Sequence, residues 1–126
     1  MQAGPAVESG QWASHQHTCS VIAVGRRGGV VVGGDTGPMR MAAAVGAPTV
    51  GIFGPTAAAR YGLGPPGVDL QGLPDCPHRR PTAITEQVCW WEARCPLAPA
   101  GPACMADLSP AAVLDAVLDG LSDHRR

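Results

Sequence analysis

Two short apolar runs, Val30-Val31-Val32 and Thr49-Val50-Gly51-Ile52-Phe53, flank a stretch of helix formers from Met39 to Val45. The order strand, helix, strand leaves few folds open. Antiparallel neighbours are joined by tight turns, whereas a helix between two buried strands makes a right-handed crossover in a parallel sheet covered by helices. The boundaries agree with this. Gly33-Gly34 closes the first run, Gly46 stands where a helix C-cap is expected, and Pro48 opens the second strand, where a missing N–H does least harm. The expected fold class is α/β with a parallel sheet.

The remainder is less regular. Residues 1–20 show no sustained period and are read as an irregular start without an assigned function; Val21, Ile22 and Val24 follow as a short apolar segment. Residues 54–83 hold Gly62, Gly64, Pro65, Pro66, Gly67 and Pro74 and read as a long loop with no secondary structure of their own. Near the end, Ser109-Pro110 supplies an N-cap and a Pro at the first helical position. Val113, Leu114, Val117, Leu118 and Leu121 then recur at spacings of three and four, predicting an amphipathic closing helix.

Composition bounds the function. Gly and Pro make up 17 and 13 of the 126 residues, which favours long loops, but 45% hydrophobic residues and a net charge of −1 argue for a folded core. The length fits a single domain. A sequence pI near 6.4 lacks the basic footprint of a nucleic-acid binder. With no apolar run of membrane-spanning length and no signal peptide, the expected setting is cytoplasmic, without a membrane span. Five cysteines, an odd number without an export signal, are expected to be reduced.

The loop Gly33-Gly34-Asp35-Thr36-Gly37-Pro38-Met39 carries the chemistry, because it joins a buried strand to a helix start. Free N–H groups in a helix's first turn, together with the positive end of its dipole, favour phosphate, and glycines let the backbone approach it. The loop is neither a Walker A nor a G-x-G-x-x-G fingerprint, so another phosphate ligand is implied. Gly54-Pro55-Thr56 follows the second strand, and in an open parallel sheet such adjoining strand ends form the ligand crevice. A purely structural reading stays open beside this one: Asp35 or Thr36 as a side-chain N-cap, and the glycines as turn residues.

The ordered run Asp35-Thr36-Gly37-Pro38-Met39, Ala42-Ala43-Ala44, Gly46, Pro48 and Phe53-Gly54-Pro55-Thr56 resembles the signature of the ADP-heptose:lipopolysaccharide heptosyltransferases, glycosyltransferase family nine. A looser likeness extends from about Val21 to about Leu121 through Cys95-Pro96, Cys104-Met105 and Ser109-Pro110. The resemblance implies a Rossmann-like parallel sheet forming the C-terminal, donor-binding half of a GT-B architecture, incomplete here, over residues 21–121 with a tail at 122–126. It implies that Asp35 contacts the donor's sugar hydroxyls, that the Thr36 and Gly37 amides hold its diphosphate, and that Thr56 sits near the nucleotide. Pro38, Met39, Arg40, Gly54 and Pro55 complete the implied donor site. Arg40 departs from the family, which usually has His there; a guanidinium can pair with phosphate through two N–H bonds but is longer than imidazole.

The implied partner is a nucleotide-sugar donor such as ADP-heptose, used in inverting, metal-independent transfer in lipopolysaccharide-core or cell-envelope glycan synthesis. No cofactor or metal is expected. The family's carboxylate base comes from an N-terminal domain, so no catalytic residue is assigned, no transfer is expected from this chain alone, and a glycan or lipopolysaccharide-core acceptor is expected only where that domain is supplied. The alternative is a non-catalytic nucleotide-phosphate-binding module or a remnant fragment. A third reading, a zinc module from Cys76, His78, Cys89, Cys95 and Cys104, lacks any C-x2-C or H-x3-5-H spacing. Trp90-Trp91 is expected to pack rather than stack on a base, Glu86 to be solvent-exposed, and His15, His17, His78 and His124 to lie outside the site.

Overall fold

The computed structural model describes residues 23 and 25–124. The irregular start assigned to residues 1–20, the apolar residues Val21, Ile22 and Val24, and the last two positions of the expected tail lie outside the described residues.

Three parallel strands form one sheet in the order β1 (Val31–Gly34), β2 (Thr49–Phe53), β3 (Val68–Gln71). Val31 is in register with Thr49 and Gly34 with Ile52; Val50 pairs with Val68 and Phe53 with Gln71. The β1 to β2 crossover is α1 (Gly37–Ala44), and a single-turn helix, α2 (Ala58–Tyr61), lies between β2 and β3. Beyond the sheet come a 3-10 turn (Ile84–Glu86), α3 (Val88–Glu92), α4 (Ala103–Ala106) and α5 (Pro110–His124).

The core gathers around β2, the central strand, where Thr49, Val50 and Phe53 are almost fully buried. From one side α1 contributes Met39 and Ala42, and the strand beneath accommodates them: a Cβ on Gly33 would lie 2.9 Å from the Met39 sulfur. A glycine inside a strand weakens it but allows this close approach. At its other end α1 stops at Val45, and Gly46 follows with φ +77, its N–H donating to the Ala43 carbonyl.

Five points differ from the sequence reading. The first strand begins one residue later than Val30 and runs through both glycines, because parallel pairing with Thr49–Ile52 continues to Gly34. Residues 54–83 are not structureless: Val68-Asp69-Leu70-Gln71 pairs with β2, and Asp69 holds the preceding loop by accepting from the Leu63 and Gly64 N–H groups. The closing helix forms, with Ser109 Oγ accepting the Ala112 N–H at 3.1 Å, but its apolar stripe is only partly covered. Ala116 is buried, whereas Leu114 and Leu118 remain 57% and 51% exposed, since three short strands are too narrow to cover the stripe. Trp90 and Trp91 are also exposed rather than packed: α3 is a single short turn with no buried residue, and the Trp91 indole donates to the Thr85 carbonyl. Helix α5 continues through Ser122 to His124, into the segment set apart as a tail.

Candidate functional site

The in-register pairing of β1 with β2 brings the chain after Gly34 beside the chain after Phe53, so residues 35–36 with the start of α1 and the loop 54–56 lie at the carboxyl edge of the sheet. Asp35 and Thr36 lie between strand and helix; Gly37 and Pro38 are the first residues of α1. The first α-helical bond of that turn runs from the Arg40 N–H to the Thr36 carbonyl. The N–H groups of Gly37 and Met39 precede the reach of that ladder and point out of the helix start. Thr36 is the N-cap residue by position, in extended conformation, but its side chain makes no capping bond; its hydroxyl lies 3.5 Å from the Gly34 carbonyl instead.

Nor does Asp35 cap the helix. Its carboxylate accepts from Arg40 at 2.6 Å, and the same guanidinium nitrogen donates to the Tyr61 carbonyl at 2.9 Å. Arg40 therefore ties the loop after β1 to the end of α2. The pair is partly solvated, with Arg40 about half exposed, so its worth as a salt bridge is at most about 1 kcal/mol and an anionic ligand can compete for the guanidinium. The side-chain capping role left open for Asp35 or Thr36 is thus filled by neither. Met39 is different in kind from its neighbours: its side chain is in the core, and only its backbone faces the helix start.

Gly54, Pro55 and Thr56 are held from behind. Gln71 donates to the carbonyls of Phe53, Gly54 and Gly72 while accepting the Ala58 N–H at 2.7 Å. Arg79 donates twice to Gly54 and once each to Gly72, Leu73 and Pro74, which uses all five guanidinium N–H groups. Gln87, only 2% exposed, donates to the Pro55 carbonyl and accepts the Arg80 N–H. Three residues that sequence reasoning passed over thus fix the second loop of the crevice. Gln71 was findable, since Val68-Asp69-Leu70-Gln71 alternates as an edge strand does; Arg79 and Gln87 stand in stretches without a period.

A concavity of about 300 Å³ is lined by Gly54 and Pro55 together with Arg79, Gln87 and the thiols of Cys76, Cys89, Cys95 and Cys104. These four cysteines are free. No three His, Cys, Asp or Glu side chains among the described residues are grouped to hold a metal ion. His78 lines this pocket, and Glu86 is exposed on the 3-10 turn, away from the core. Among the described residues no helix is long and apolar enough to cross a membrane.

Residues 19–73 match the family model of glycosyltransferase family 9 (heptosyltransferase). That segment contains β1, α1, β2, α2 and β3, and with them both loops of the crevice. The fold is α/β with a three-stranded parallel sheet, consistent with a Rossmann-like fragment of a GT-B glycosyltransferase, and the match supports a glycosyltransferase-like function. No curated protein and no solved structure matches the chain.

Proposed function

We propose that this chain binds the nucleotide-sugar donor of an inverting heptosyl transfer, with the donor's diphosphate at the start of α1. The observation that carries the reading is Gly37. Its φ is ordinary, and a Cβ there would meet nothing within 4 Å, so the fold has no need of a glycine in this place. A ligand that must come up to the backbone explains a glycine that packing does not require.

In this reading the Gly37 and Met39 N–H groups and the helix dipole stabilise the diphosphate and the negative charge that grows on it as the glycosidic bond breaks. Asp35 turns its second carboxylate oxygen to the sugar hydroxyls while the first stays on Arg40, and Arg40 reaches from that pair toward phosphate. Thr56, at the end of the adjoining strand, faces the nucleotide. ADP-heptose is the donor proposed, and lipopolysaccharide core or a related envelope glycan the acceptor class. A non-catalytic nucleotide-phosphate binder is the second reading, favoured by the engagement of Asp35 with Arg40.

Calorimetric titration with ADP, ADP-heptose and UDP-sugars, with and without EDTA, tests the proposal. The expected result is EDTA-insensitive binding that prefers the ADP-sugar and is lost in Gly37→Val, a variant for which the fold has room. Binding of ADP and ADP-heptose with equal affinity would favour the second reading, and no binding by the folded chain would overturn both.

A further inference from the structure

Successive residues of a strand point to opposite faces of the sheet. A Cβ on Gly33 would meet Met39 of α1, whereas a Cβ on Gly120 of α5 would lie 3.2 Å from Val30, so the two helices take opposite faces and Val32 is on the face of α5. On that face Val32, Val50 and Val68 stand in register across the three strands. Val50, in the middle, is 1% exposed, while Val32 and Val68 are 42% exposed each. Helix α5, which packs on β2 and β3 and buries Ala116, thus closes the centre of the face and leaves its margins open.

The helix also carries apolar surface that this face does not use. With about 100° between successive residues, Leu114 and Leu118 stand roughly 160° round the axis from Ala116, one on either side, and Leu121 lies next to Leu114. Leu114 and Leu118 are each more than half exposed and form a ridge on the outside of the molecule. Along one flank of the ridge Asp115, Asp119 and Asp123 recur every four residues, all of them exposed and none in an ion pair among the described residues. A leucine ridge bordered by a row of carboxylates defines its complement, an apolar ridge bordered by cations.

We propose that α5 docks an amphipathic helix of another polypeptide, its apolar ridge bordered by Lys or Arg, with Leu114 and Leu118 as the apolar contact and Asp115 and Asp119 as the charged border. A helix fits because leucines at i, i+4 and i+7 present one continuous ridge to a neighbouring helix. The occupants that this chain itself could supply lack the charge. In a second copy, antiparallel pairing through the same ridge brings like flanks together and sets the two aspartate rows against each other. Residues 1–22 contain Glu8 and no Lys or Arg. None of the α5 residues belongs to the crevice at the start of α1, so docking here is independent of nucleotide-sugar binding.

The full chain is titrated into a fluorescein-labelled helical peptide of Leu and Lys, and into its counterpart with Glu at every Lys position, with anisotropy as the readout. The Lys helix is expected to bind at least about tenfold more tightly than the Glu helix, as several exposed ion pairs acting together allow, and to weaken as salt is raised. Leu114→Ser with Leu118→Ser is expected to abolish binding without lowering the melting temperature, since both side chains are more than half exposed. Asp115→Asn with Asp119→Asn is expected to reduce the preference for the Lys helix to about that of one remaining pair. Should the serine variant fail to fold, the asparagine variant decides alone. Equal binding of the two peptides, or a preference for Lys that survives Asp115→Asn with Asp119→Asn, would overturn the assignment. So would a dimer in sedimentation that Leu114→Ser with Leu118→Ser dissolves, because the ridge would then belong to a second copy.

Discussion

Replacing Arg79 with Met keeps most of the side-chain stem and removes all five guanidinium donors that tie the chain after β2 to the chain after β3. Arg79 donates to four carbonyls, at 2.9 Å and 3.2 Å to Gly54, 2.7 Å to Gly72, and 2.9 Å each to Leu73 and Pro74. Hydrogen bonds from a charged group contribute about 1.5–3 kcal/mol each, but the full sum is not lost here. Pro74 is exposed, so water replaces the guanidinium there, and Gln71 still reaches the Gly54 and Gly72 carbonyls at 3.2 Å. The remaining deficit, spread over Gly54, Gly72 and Leu73, amounts to about 2–3 kcal/mol. Arg79→Lys keeps the charge without the planar fork and is expected to lose about half as much. Urea unfolding followed by far-UV circular dichroism gives the comparison, with the m-value unchanged. An Arg79→Met variant within about 0.5 kcal/mol of wild type, the ordinary range of a surface substitution, would refute the view that this side chain anchors the second loop.

Further expectations concern single groups. Thr49 Oγ1 is buried with no hydrogen-bond partner among the described residues, so Thr49→Val, close in shape, is expected to stabilise the chain by about 1 kcal/mol, visible as a higher melting temperature. Ser109→Ala removes the cap of α5 and is expected to cost about 1 kcal/mol in the same melts, with Ser109→Asp restoring most of it. Cys95, whose pKa is lowered first by the Ala103 amide, keeps its thiolate as pH falls below the ordinary thiol range, whereas Cys104, raised by burial, does not. Iodoacetamide labelling against pH is therefore expected to show Cys95 titrating at the lower pH; the reverse order would contradict the placement of these thiols.

The parts of the fold that were legible are those fixed by local rules. Two apolar runs with helix formers between them specified β1, α1 and β2, and Ser109-Pro110 marked the start of α5, because turns and caps depend on residues close in sequence. What escaped depends on contacts made at a distance. The strand Val68–Gln71 was hidden by the Gly and Pro around it and is held by pairing with β2, and the exposure of Leu114, Leu118, Trp90 and Trp91 follows from how little sheet there is to cover them. At the crevice, the glycines and Asp35 were readable from the strand-to-helix turn, while the ties made by Gln71, Arg79 and Gln87 to backbone carbonyls leave no periodic trace. The Arg40 bridge from Asp35 to Tyr61 likewise joins residues whose proximity no spacing announces.

The central claim, that a diphosphate is held where α1 begins, is tested most directly by following backbone amide shifts in a nuclear magnetic resonance titration with ADP. The largest changes are expected at Thr36, Gly37 and Met39, with smaller ones at Gly54 and Thr56, and all of them are expected to disappear in Gly37→Val. Shifts centred instead on Cys89, Cys95 and Ala103 would place the ligand in the thiol-lined pocket and contradict the claim.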